Sequence, residues 1–154
     1  MKVFISYGAT EDQVTALRLQ ALGVVNGLTI YVPPAHTRQG QQSLLEPQSA
    51  QKLREAEVIL GVVVAGLSQA CQAELNLAIG MGKAAIVMAD PKFAPNLQPA
   101  FGPNLVVIDP ANPASAELGI VQHLKAMNAH QSATQALLAL GTLALGLLIF
   151  APTE

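Results

Sequence analysis

One carboxylate stands among apolar residues in a pattern that could do chemistry. Glu74 lies in the run Ser68-Gln69-Ala70-Cys71-Gln72-Ala73-Glu74-Leu75. The spacing predicts a helix over 68–81, on which Leu67, Cys71, Ala78 and Met81 form one stripe with Glu74 in its middle. Carboxylates are rarely buried without a purpose, because desolvating the charge is costly. Helical side chains lean toward the helix N-terminus, here toward the strand ends where ligands sit in parallel α/β sheets. A carboxylate at that place can bind ribose hydroxyls and stabilise an oxocarbenium-like centre as a leaving group departs, the logic of glycoside cleavage. The alternative is a Glu at the edge of the stripe, solvated or salt-bridged.

The other reactive side chains offer less. Cys71 has no histidine near it in sequence to act as a base, so it reads as a small buried hydrophobe rather than a nucleophile. His36 and Arg38 fall in a polar loop; Arg38 is its only basic side chain and suits either a pyrophosphate contact or a solvated charge. His123 and His130 flank the last predicted helix as surface or interfacial residues, and no third ligand accompanies them to make a metal site. Gly80 and Gly82 end a helix rather than begin one, which excludes a phosphate-binding loop.

The elements that must position these residues alternate. Strands are expected at Lys2–Tyr7, Leu28–Val32, Val58–Val64, Ala84–Met88 and Leu105–Ile108. Helices are expected at Glu11 to Val25, Ser49–Ala56, Ser68–Met81 and Ala114–Met127, the first with Val14, Leu17, Leu22 and Val25 as its apolar stripe. Residues 35–48 and the Pro- and Asn-rich stretch Asp90–Pro103 read as connections. Short crossovers of this kind imply a five-stranded parallel sheet, doubly wound, with helices on both faces.

Hydrophobic residues make up 51% of the 154-residue chain and charged residues only 12%, about half the usual globular share. The imbalance is regional, since no Asp, Glu, Lys or Arg occurs between Lys125 and Glu154. A net charge of −2 without a Lys/Arg cluster argues against nucleic-acid binding. One cysteine excludes an internal disulfide framework and fits a reducing compartment. The opening MKVFISYGATED is charged too early for a secretory signal and reads as the first strand. Residues 133–152, ATQALLALGTLALGLLIFAP, are apolar all round. As a helix, the core Ala136–Ala151 would reach roughly 24 Å. Spanning the usual 30 Å or so therefore draws in Ser132 to Gln135 or thins the bilayer. The expected division is a domain over 1–130, on the cytoplasmic side, and a hydrophobic helix over 131–154 serving as a membrane anchor. The alternative is a helix packed on a partner subunit.

Two motifs carry a family resemblance. VFISYGATED, residues 3–12, resembles the first strand and following turn of TIR (Toll/interleukin-1 receptor-like) domains. SQACQAEL, Ser68 to Leu75, is similar to the S-x-x-C-x-x-E-L of the third helix of plant and bacterial members. The Pro- and Gly-containing loop between them takes the place of that family's BB loop, and order and spacing agree over roughly residues 2–127. The chain departs from the plant-type pattern at Ala70, where that pattern has Trp, and at Gly8 and Ala9, where some NAD-cleaving relatives carry basic residues. The resemblance implies the flavodoxin-like TIR fold and, for the bacterial NAD-cleaving type, release of nicotinamide from NAD as substrate with no further cofactor. It implies Glu74 as the catalytic carboxylate, with Ser6, Tyr7, Gly8, Pro34, Arg38, Ser68 and Cys71 about the substrate. It also implies self-association and a role in prokaryotic defence or cell death. Two alternatives remain: a non-catalytic TIR scaffold, and a nucleoside deoxyribosyltransferase-like enzyme. The latter place a Glu before an A-x-x-x-G-K stretch resembling Ala78 to Lys83, and F-I-S-Y argues against them.

Overall fold

Strand residues that alternate between two covered faces must be apolar on both, and the central strands here are. The computed structural model describes residues 1–39 and 45–130. Its strands are β1 (Lys2–Tyr7), β2 (Thr29–Tyr31), β3 (Val58–Val63), β4 (Ala84–Ala89) and β5 (Leu105–Val107). Its helices are α1 (Gln13–Val25), α2 (Pro47–Glu55), α3 (Gln69–Gly80), α4 (Ala94–Phe101) and α5 (Pro113–His130), with 3-10 turns at Thr10–Asp12, Ala35–Arg38 and Gly102–Asn104. All neighbouring strands pair in parallel in the order β2-β1-β3-β4-β5. This is the flavodoxin-like order, whose ligand crevice lies where the strand order reverses between β1 and β3.

Each face of the sheet has its own core. Val3, Ile5, Val58, Leu60, Val62, Ile86 and Met88 pack with Ala16 and Leu19 of α1 and with Ile120, Leu124 and Met127 of α5. Phe4, Ile59, Val63, Ala85 and Val87 pack with Leu53 of α2, Cys71 and Leu75 of α3 and Leu97 and Phe101 of α4. At the far end of α3, Gly82 adopts φ +66, and the Lys83 N–H donates to Ala78 O at 3.0 Å, a glycine stop that leaves the helix carbonyls satisfied. Lys83 Nζ then donates to the carbonyls of Arg54 and Ala56, each at 2.7 Å. The G-K pair thus fastens α2 at the end of the sheet away from the crevice.

Several expectations are corrected. The stretch Asp90–Pro103 contains a helix, α4, with a proline in its first turn and Pro99 inside it. A first-turn proline lacks only a donor that the turn leaves unpaired, and burial of Leu97 and Phe101 holds the remainder against the low propensity of Pro99. The loop expected over 35–48 contains the 3-10 turn Ala35–Arg38 and the start of α2 at Pro47; its residues 40–44 lie outside the described residues. Of the stripe assigned to α1, only Leu22 packs against the core. Val14, Leu17 and Val25 are 66%, 46% and 85% exposed, whereas Ala16, Leu19 and Gly23 face the sheet. Small residues win because they allow closer approach: a Cβ on Gly23 would come within 2.1 Å of Ile30 Cδ1. His123, expected at the surface, is buried, and burial holds its pKa below the usual histidine range. Among the described residues, no helix is long and apolar enough to cross a membrane. The expected C-terminal helix and anchor over 131–154 lie outside the described residues.

Candidate functional site

The site is built where β1 and β3 end. Gly8 N–H donates to Val62 O and Ser68 N–H donates to Gly8 O, both at 2.7 Å, which seats the start of α3 on the end of β1. Gly8 is required there by close approach, since a Cβ would meet Gly66 O at 1.8 Å. Ser68 caps α3, its Oγ accepting from the Cys71 N–H at 3.2 Å, and so fixes the first turn of the helix that carries Cys71 and Glu74. Asp12 completes the frame. Buried at 3% exposure, it accepts from the Ala65 N–H at 2.9 and 3.1 Å and from the Val64 N–H at 3.3 Å. Burial raises its pKa, against those backbone donors, which favour the charged form.

Within this frame Glu74 is 1% exposed and hydrogen-bonded at both oxygens. Ser6 Oγ donates to Glu74 Oε1 at 2.7 Å. Arg38 Nη2 donates to Oε1 at 2.6 Å and Nη1 to Oε2 at 2.9 Å, a two-pronged pair of the kind guanidinium and carboxylate planes favour. Burial pushes the Glu74 pKa up, and the Arg38 charge, with the bonds from Arg38 and Ser6, pulls it back. Arg38 is itself buried, its guanidinium carbon 4.2 Å from the centre of the Tyr7 ring. Tyr7 is anchored by its hydroxyl, which donates to Pro33 O at 2.6 Å. Pro34 precedes the 3-10 turn, and its carbonyl accepts from Thr37 N–H at 3.1 Å and Thr37 Oγ1 at 2.6 Å, which shapes the turn that delivers Arg38. Arg38 Nε has no partner among the described residues.

Cys71 is buried with its Sγ 3.3 Å from Ser6 Oγ, and burial pushes its thiol up to about 12. A thiol so rarely ionised is a poor nucleophile, and its role here is packing beside Glu74.

The structure thus brings Ser6, Tyr7, Arg38, Cys71 and Glu74 together, while Gly8, Pro34 and Ser68 act through their backbone and cap bonds. Arg38 differs from the solvated charge its loop position suggested, and His36 points outward, exposed. Asp12 was missed as a site residue; an acid in a first helical turn is common, and nothing local distinguishes one that holds a distant loop. As it stands the Arg38 guanidinium lies against the carboxylate: Oε1 accepts from Ser6 and Arg38 and Oε2 from Arg38, so a ligand that takes both oxygens needs the turn carrying Arg38 to move. Once it has, one carboxylate and one hydroxyl would face the end of β1, a set suited to holding sugar hydroxyls and facing a developing positive charge. Among the described residues, no group of acidic, histidine and cysteine side chains could hold a metal ion.

No family model matches the chain, and no curated protein matches it. Among solved structures, it is similar to the TIR domains of the activated Roq1 resistosome directly recognizing the pathogen effector XopQ. The TM-score is 0.47 at 12% identity, over 93% of this chain and 82% of that one.

Proposed function

We propose that the chain is a TIR-type enzyme that cleaves NAD, with Glu74 as the catalytic carboxylate. The observation that carries this reading is Glu74 itself: buried beside the crevice between β1 and β3, in the S-x-x-C-x-x-E-L run, and paired with an arginine on the 3-10 turn Ala35–Arg38. In the reaction the bond between ribose C1′ and the nicotinamide nitrogen breaks, and its electron pair leaves with the now neutral nicotinamide. Glu74, ionised, stabilises the cationic C1′ and fixes the ribose hydroxyls. Water then attacks C1′ and loses its proton, giving ADP-ribose; attack by an adenine nitrogen of the same molecule gives a cyclic product. Freed from Glu74, Arg38 would pair with the pyrophosphate. On this reading the protein works after self-association in prokaryotic defence or cell death, with residues 131–154 anchoring it to a membrane.

A second reading, a non-catalytic TIR scaffold, draws on the same bond: the Arg38–Glu74 pair engages both carboxylate oxygens and would serve only to hold the loop. Incubating the purified chain with NAD over a range of protein concentrations, and resolving products by chromatography, decides between them. Nicotinamide release by the native chain that Glu74→Gln abolishes is the expected result. No release at any concentration, with self-association intact in both chains, establishes the scaffold. Turnover by Glu74→Gln at the native rate removes Glu74 from the chemistry.

A further inference from the structure

The space that the Arg38 guanidinium fills has an aromatic floor and an anionic edge. The Tyr7 ring lies 4.2 Å from the guanidinium carbon, and the Tyr7 hydroxyl, donating to Pro33 O, holds that ring in place. Glu74 forms the edge with both carboxylate oxygens, and Ser6 Oγ donates to Oε1 and keeps the carboxylate in that pose. The Arg38 side chain is wholly buried between them. Arg38 is the cation that acts on Glu74, while Glu46 is a second anion near enough to act on it. Taking Arg38 away therefore leaves a negative cleft with one aromatic face.

The guanidinium does not use every donor it carries. Nη1 and Nη2 donate to Glu74, and Nη1 also donates to Thr37 Oγ1 at 3.1 Å. Nε is buried without a partner among the described residues. A buried donor left unpaired is a cost, and a flat cation that lacks this N–H avoids it. The cleft thus matches a flat shape and a positive charge, not the full donor set of a guanidinium. We infer that the cleft between Tyr7 and Glu74 is a binding site for small planar cations, N-alkylpyridinium rings among them, which the Arg38 guanidinium fills in the resting chain. A neutral ring of the same shape stacks on Tyr7 but leaves the buried Glu74 charge uncompensated, so charge decides what binds. One step rests on the NAD reading: there the occupant is the nicotinamide ring, cationic until its bond to ribose breaks and neutral afterwards. The cleft then holds the ring as substrate and releases it as product.

Chemical rescue tests the site without any turnover. Full-length Arg38→Ala is unfolded by heat with added methylguanidinium, 1-methylnicotinamide or neutral nicotinamide, against sodium chloride and methylammonium at matched ionic strength. Both planar cations are expected to raise the unfolding midpoint by several degrees, increasing with the logarithm of their concentration, and the two salts are not. 1-Methylnicotinamide should bind at least about tenfold tighter than nicotinamide, the same ring without the N-methyl group and its charge. If the variant does not fold alone, the folded fraction read by circular dichroism gives the same comparison. Adding Glu74→Gln to Arg38→Ala keeps the shape of the edge and removes its charge, and should abolish the rescue. No rescue by either planar cation, equal binding of the charged and neutral rings, or rescue that persists in the double variant each overturns the inference. NAD cleavage by the native chain without rescue would remove this site and leave the proposed function standing; rescue without NAD cleavage does the reverse.

Discussion

At the scale of single residues, the question is what the Arg38–Glu74 bond does while the site is at rest. Two buried charges removed from water are held by geometry rather than by net gain, and deleting one partner leaves the other uncompensated, at about 3–5 kcal/mol. Arg38→Ala is therefore expected to destabilise the chain by about that amount at neutral pH. The sign of its pH dependence comes from Glu74, whose pKa burial already raises above the ordinary 4.5 and Arg38 restrains. Without Arg38 it rises further, so the folded variant binds a proton more tightly than its unfolded chain does. Its stability is lost as pH rises from the unfolded value through the raised folded one. The deficit against the native chain should shrink as pH is lowered from 8 toward 5, in urea unfolding at each pH. A deficit independent of pH would mean that Glu74 is not the group left unpaired. Cys71 gives the complementary expectation. With its thiol pushed up to about 12, Cys71→Ala should keep NAD turnover within a few-fold of native while losing some packing stability. A loss of turnover as deep as that of Glu74→Gln would make the thiol part of the chemistry.

At the scale of elements, the order of strands and helices was legible in the sequence because hydrophobic runs and glycine and proline punctuation mark it directly. The exceptions share one cause. The helix α4 and the buried side of α1 depend on what each segment packs against. Pro99 argues locally against a helix that Leu97 and Phe101 nevertheless hold in place, and Gly23 looks weak until Ile30 is seen against it. In the site, Glu74 was legible as an apolar-stripe carboxylate. Arg38 as its partner was not, because the pair joins residues 36 positions apart through a turn with no periodicity. The role of Gly8 was likewise hidden, since its neighbour Gly66 comes from another strand end. Gly8→Ala would drive a methyl against Gly66 O, which lies 1.8 Å from the ideal Cβ position, and backbone cannot yield cheaply. The expected result is a loss of about 1–3 kcal/mol, with increased hydrogen exchange in the loop over 64–68 and in the first turn of α3. Native-like exchange there would show that the two loops can part without strain.

At the scale of the whole molecule, a closed site and an expected assembly need a link. In an isolated chain Glu74 is engaged at both oxygens, so a ligand must wait for the turn at Ala35–Arg38 to leave. If that opening costs about 3 kcal/mol, only on the order of one chain in a hundred to a thousand is open at any moment. Contacts between chains that favour the displaced loop would shift this population in proportion to their preference for the open form, and would do nothing if they bound both forms equally. The specific rate of NAD cleavage should therefore rise with protein concentration, by more than tenfold between dilute and assembled chain. Arg38→Gln, which cannot form the charged pair, should flatten that rise by leaving the carboxylate accessible in the single chain, provided its pyrophosphate contact is weakened less than the latch. Measuring the affinity of ADP for both chains separates those two effects. A native rate that is measurable but independent of concentration would mean that opening is driven by the ligand alone, with the guanidinium passing directly from Glu74 to the pyrophosphate and no second chain required.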